Sequence, residues 1–171
     1  NNTIFADASG NIAYFHANFV PVRDPKFDWT RPVDGSDPAT EWTGVHAVDD
    51  SPNLLNPRTG WLQNTNNWPY SAAAAASPRA RDYPSYMDRA GENPRGIHAL
   101  EVLERGRAFT LASLITAAYD PHLTAFDALL PSLFRAYDGL PRTDARRTAL
   151  AAALLLVALG IWLVNRPTKR L

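Results

Sequence analysis

Residues 60–70 read GWLQNTNNWPY: three asparagines, a glutamine and two tryptophans, closed by a proline and a tyrosine. Amide side chains favour turns and surfaces, whereas tryptophan is largely buried on average. Crowding them together makes either a surface turn or a set of amide donors held in a semi-buried place. Asparagine NH2 groups stabilise the oxyanion of acyl transfer when they are fixed in a dry site. The chemistry of the residues alone leaves both readings open. A short strand is expected over residues 60–66, with Trp68-Pro69 fixing its exit.

Upstream, residues 2–17 place two runs rich in aromatic and β-branched residues on either side of DASGN. Thr3 and Phe5, then Ile12, Tyr14 and His16, alternate with their neighbours as strand residues do. Gly10-Asn11 supplies the turn, so a β-hairpin is expected. Between residues 20 and 94 lie ten of the 14 prolines. Repeated X-Pro units block helix and central strand alike. Such a long irregular segment is unusual in a compact domain unless it lines a site or drapes over another body. Phe27, Trp29, Trp42, Trp61 and Trp68 need a surface to bury against, which argues for draping. The alanine run 72–76 reads equally as helix-prone or as low complexity.

Downstream the pattern turns helical. Ile97, Leu100 and Leu103 separate from Glu101 and Glu104 at helical spacing, and Gly106 ends that helix. Leu111, Leu114, Ile115 and Ala118 form a second stripe. Phe126, Leu129, Leu130, Leu133 and Tyr137 form a third, interrupted by Pro131. Asp144 is the expected N-cap of a fourth helix, ARRTALAAALLLVALGIWLV. The fold class is therefore α+β, with too few strands for the sheet to stand alone. Three stretches follow: 1–92 (hairpin, Pro-rich segment and strand), 93–148 (helices) and 149–171 (hydrophobic helix and basic tail).

Length and composition narrow the function. The 171 residues suffice for one domain with a core. Seventeen basic and 17 acidic residues leave no electrostatic footprint for nucleic acid. The absence of cysteine excludes thiolate zinc sites and a cysteine nucleophile but leaves an oxidising compartment open. His16, His46, His98 and His122 have no metal spacing such as HExxH, and His98 reads as a structural histidine among apolar neighbours. Glu92 and Glu101 bracket Arg95 as ordinary solvated pairs would. Asp34, Asp37 and Glu41 offer oxygen ligands for calcium without EF-hand spacing, and turn formation is the simpler role. The opening NNTIFADA has no signal peptide or initiator methionine and reads as mid-strand, so a processed chain or a piece of something larger is expected.

The order of these pieces carries a resemblance. Gly10-Asn11-Ile12 with Tyr14 and His16 is followed by Pro32-Val33, Gly35, Glu41-Trp42 and Asn56-Pro57. Then come Gly60-Trp61-Leu62, Asn64, Asn66-Asn67 and Pro69, and Arg95 opening the apolar helix of Ile97 to Leu103. From residue 2 to about residue 140 this resembles the penicillin acylase family of N-terminal-nucleophile hydrolases, and residues 60–73 look closest to its acyl-homoserine lactone acylase branch. Each piece is weak alone; together their order and spacing are specific.

The resemblance implies part of an αββα sandwich and hydrolysis of the amide bond of N-acylated substrates, of the β-lactam or acyl-homoserine lactone type. It implies an autoprocessed precursor whose new N-terminal Ser attacks the carbonyl with its own α-amine as base. It places the oxyanion-hole side chain on Asn66 and its supporting Arg on Arg95. It requires no cofactor for the chemistry and allows a structural calcium in the intact parent, with ligands not placed here. Partners would be the rest of the β chain and the α chain, and the compartment periplasmic or secreted. Asn1 is no nucleophile, so the fragment alone is expected to be inactive. The rival is a non-catalytic membrane-tethered or scaffold module.

The match fades after Leu150. Residues 149–164 are 16 uncharged residues, about 24 Å as helix, where a bilayer needs about 17–25 residues. Arg146, Arg147, Arg166, Lys169 and Arg170 flank them as they would flank an anchor. A buried helix of the parent, a departure from the parent's reading frame and a membrane anchor are all compatible with this stretch.

Overall fold

The computed structural model describes residues 2–16, 19–106 and 108–164. The chain divides at Arg107 into two compact units. The first contains strands β1 (Thr3–Ala6), β2 (Ile12–Phe15) and β3 (Asn53–Leu55) and helix α1 (Pro94–Arg105). The second contains helices α2 (Leu111–Ala118), α3 (Thr124–Asp138) and α4 (Ala145–Val164).

The hairpin forms as its alternation dictates. Thr3 pairs with Phe15 and Ala6 with Ile12. The turn is organised by Asp7, whose carboxylate accepts from Ser9 N at 2.8 Å, Asn11 N at 2.9 Å and Asn11 Nδ2 at 2.8 Å. These bonds hold the Asp7 carboxyl below the ordinary value, Asn11 contributing most. Gly10 supplies the left-handed residue, with φ +86°. Positions 17 and 18, at the end of the expected hairpin, lie outside the described residues.

The third strand is a correction. Residues 60–66 form no strand; Asn53–Leu55 pairs antiparallel with β2 instead, Phe15 opposite Asn53 and Ala13 opposite Leu55. The Asn-Pro pair explains the difference. Asn56 turns left-handed, with φ 48°, and Pro57 begins a turn closed by Gly60 N on Pro57 O at 2.9 Å. The chain thus leaves the sheet before the Trp-rich stretch arrives. Asn56 also seals the exit: its Oδ1 accepts from Ile12 N at 2.8 Å and its Nδ2 donates to Asn11 Oδ1 at 2.8 Å.

The first unit's core is small. Tyr14 is fully buried, with Ala13, Ala72, Ala73 and Met87. The alanine run is neither continuous helix nor featureless coil: 3-10 turns at Pro69–Ser71 and Ala74–Ala76 bracket the buried Ala72 and Ala73. The Pro-rich segment is organised by carboxylate-capped turns. Asp34 accepts from Ser36 N and Asp37 from Ala39 N, each at 2.9 Å, and Glu41 accepts from Trp42 N at 2.9 Å. Asp34 and Asp37 therefore act as turn formers, while the Glu41 carboxylate bonds to the N–H of its next residue. Segments near Pro21 and Val45 bridge antiparallel, and the Arg23 guanidinium lies 4.8 Å from the Trp29 ring centroid. Strand β1 is exposed along its length, including Ile4 and Phe5.

In the second unit, Thr110 and Ser113 build a capping box on α2. Helix α3 continues past Pro131, the residue that interrupts its apolar stripe in the sequence. The ring removes one backbone donor, but its fixed φ suits a helix, and the last turns continue to a cap at Gly139. Asp144 caps α4 as its sequence position requires, accepting from Arg146 N at 2.9 Å. Arg147 Nη1 donates to the carbonyls of Tyr137 and Leu140 at 3.0 and 2.8 Å, and its guanidinium lies 4.0 Å from the Tyr137 ring centroid. These contacts tie the start of α4 to the end of α3. Leu155, Leu156, Trp162 and Leu163 are exposed. By length and composition alone, 145–163 is long and apolar enough to cross a membrane. Arg166, Lys169 and Arg170 lie outside the described residues.

Candidate functional site

The asparagine stretch is a tight turn laid against the start of α1. Gln63 anchors its entry: its N–H reaches Ala72 O at 2.9 Å and its Nε2 donates to Ser71 O at 3.0 Å. Trp68 N donates to Gly91 O at 3.2 Å and closes the exit. Between them Asn66 takes a left-handed backbone, φ 58°, which asparagine tolerates better than most residues.

The three asparagines divide their roles by burial. Asn67 is only 3% exposed. Its Oδ1 accepts from Thr65 N at 3.1 Å, and its Nδ2 donates to Ser71 Oγ at 3.0 Å and to Glu92 Oε1 at 2.8 Å. Asn64 folds back into the turn, its Oδ1 accepting from Asn66 N at 3.4 Å. Asn66 is exposed, and Arg95 Nη1 donates to its Oδ1 at 3.4 Å. With the amide oxygen turned to the guanidinium, the Asn66 NH2 faces the other way.

Arg95 is delivered by the helix start. Asn93 is the N-cap of α1: its Oδ1 accepts from Gly96 N at 2.9 Å, with Pro94 in the first turn. Asn93 also stitches the helix to the turn, its Nδ2 donating to Thr65 O at 3.3 Å. The two residues singled out from the sequence, Asn66 and Arg95, are thus brought together across 29 positions of chain. The Glu92–Arg95–Glu101 pairing is corrected: Glu92 turns to Asn67 and Ser71, while Glu101 pairs with Arg105 at 3.3 Å. Glu92 and Ser71 were not legible as partners of the asparagines, because the contacts are long-range and no spacing rule announces them.

A second polar group lies in the same unit. His16, 6% exposed, meets Tyr14 Oη through Nδ1 at 3.1 Å and Asp88 Oδ2 through Nε2 at 3.1 Å. Burial pulls its pKa below 6.5 and outweighs the opposing pull of Asp88. Burial, then the Asp88 carboxylate, raises Tyr14 above its ordinary value and pushes Tyr70 up to about 12.

This arrangement of strands, turn and helix has a counterpart among solved structures. The chain superposes on thermostable penicillin G acylase from Alcaligenes faecalis with a TM-score of 0.54 at 23% identity, over 88% of this chain and 26% of that one. The fold is thus that of part of an N-terminal-nucleophile hydrolase. The family model for penicillin amidase matches residues 1–164, and the chain belongs to that family. Penicillin G acylase of Escherichia coli is 30% identical over 155 residues, which cover 85% of this chain and 16% of that protein. The chain therefore spans about a sixth of the length of that relative. The family match runs on to residue 164, past the point near Leu150 where the motif resemblance fades, and so takes in all of α4.

Proposed function

We propose that the intact protein containing this chain hydrolyses the amide bond of N-acylated small molecules, with Asn66 as the side-chain donor of its oxyanion hole. The observation that carries this is the Arg95–Asn66 contact at an exposed, left-handed turn. A guanidinium on the amide oxygen prevents the side-chain flip that would turn the oxygen toward a developing anion. It also polarises the amide and strengthens its N–H as a donor. Charge appears on the substrate carbonyl oxygen only as the nucleophile adds, so a donor fixed beforehand lowers the barrier without tightening ground-state binding.

The nucleophile in this reading is the N-terminal Ser of a processed larger chain, its α-amine taking the proton, and a backbone N–H near that Ser is the second donor. The rest of the β chain and the α chain are the partners, and the compartment is the periplasm or the exterior. No cofactor takes part in the chemistry. Arg95 acts through Asn66, so the effects of Asn66→Ala and Arg95→Ala on kcat should not add fully. Steady-state kinetics of the intact enzyme on an N-acyl anilide, a β-lactam amide and an acyl-homoserine lactone test the reading and choose the substrate class. A parent protein cleaving none of these would overturn it.

Helix α4 favours a second reading, a membrane-tethered module, because Leu155, Leu156 and Trp162 are exposed on a helix of spanning length. Protease protection in membranes separates the two. Stable insertion of residues 145–163 supports the tether; a chain that stays in the soluble fraction and yields no membrane-protected fragment supports a helix packed on protein.

A further inference from the structure

We infer that Glu92 is a positioning residue for Asn66, an inference that rests on the oxyanion reading of that side chain. The carboxylate closes a small network. Its Oε1 accepts from Asn67 Nδ2 and from Asn93 N, each at 2.8 Å, and its Oε2 accepts from Ser71 Oγ. Asn67 Nδ2 also donates to Ser71 Oγ at 3.0 Å, so both of its hydrogens are used and its oxygen is left to hold Thr65 N. One carboxylate therefore grips the residue after Asn66 and the N-cap of the helix that carries Arg95. The distance between the donor and its support depends on that shared grip.

Two further features point the same way. The carboxylate precedes the first turn of α1, where the helix dipole favours negative charge. Gly96 leaves the room the network needs: a Cβ there would collide with the Glu92 carboxylate and lie 2.5 Å from Asn67 Nδ2. The helix thus presses a glycine against the network, and the turn cannot shift toward α1 without losing these bonds. Glu92 touches no reacting atom in this account; it sets where Asn66 points.

The test is a kinetic cycle in the intact processed enzyme. Glu92→Ala should lower kcat about tenfold with KM within about twofold, because a displaced donor weakens the transition state alone. Glu92→Gln keeps Oε1 for Asn67 and Asn93 and should restore most of kcat. In an Asn66→Ala background, Glu92→Ala should lower kcat no further, since its route runs through Asn66. Ser71→Ala, a milder change to the same network, should lower kcat a few-fold and serves if Glu92→Ala does not fold. If Glu92→Ala and Ser71→Ala keep the parental kcat while Asn66→Ala loses it, the positioning role is wrong and the oxyanion reading stands. If Glu92→Ala lowers kcat equally with and without Asn66, the role is also wrong. If Asn66→Ala itself keeps kcat, the oxyanion reading falls, and this inference with it.

Discussion

At the residue scale, neighbouring asparagines of one turn do different work because their environments differ. Asn67 spends its whole amide on internal bonds, whereas Asn66 bonds only its oxygen inward. Asn64→Ala and Asn67→Ala should therefore act by loosening the turn, and in steady-state kinetics each should cost less kcat than Asn66→Ala. His16 makes a different prediction. Its buried imidazole holds a pKa below 6.5, so as pH falls the unfolded chain takes up that proton first. The stability tied to His16 is whole above about pH 6.5 and declines as pH falls through that value, levelling once the folded imidazole also protonates. Urea unfolding of the intact protein at several pH values, compared with His16→Gln, checks it. A slope of the opposite sign in this window would show that Asp88, not burial, governs the ring.

At the element scale, the start of α1 joins fold and site. Asn93 caps the helix and bonds to Thr65, so Asn93→Ala should cost about 1 kcal/mol as an ordinary N-cap loss and also weaken the turn. Urea midpoints at fixed pH measure the first effect and kcat the second. Parts of the helices were legible in the sequence. The Gly106 end of α1 and the Asp144 cap of α4 follow local rules of few residues, and these rules held, whereas the Asn93 cap of α1 was not singled out. The third strand was not legible, because β3 is only three residues long and its pairing with β2 depends on a left-handed Asn56 rather than on alternation. At Pro131 local propensity marks a breaker, while the rest of α3 carries the helix through it. Of the candidate site, motif order singled out Asn66 and Arg95, which the structure brings within 3.4 Å. Glu92 could not be singled out, since its partners lie 21 and 25 residues away.

At the scale of the whole molecule, the exposed apolar surface asks for partners. Strand β1 presents Ile4 and Phe5, and α4 presents Leu155, Leu156 and Trp162. An open strand edge with apolar side chains is a template for pairing. The chain spans about a sixth of the length of its Escherichia coli relative, and under the proposed function these surfaces are where further polypeptide of the intact protein would pack. The isolated 171-residue chain should accordingly melt without a sharp cooperative transition and hydrolyse no acyl anilide above background. Calorimetry and a chromogenic assay check both, and a sharp monomeric melt would contradict the first. The central claim, that Asn66 meets charge which exists only in the transition state, is tested most directly by ligand binding to the intact enzyme and its Asn66→Ala variant. An acyl-chain boronic acid, tetrahedral and anionic once the nucleophile adds to it, should bind the variant about 100- to 1000-fold more weakly, while an uncleaved amide analogue binds both nearly alike. Equal losses for the two ligands, or no loss for the boronic acid, would contradict the claim.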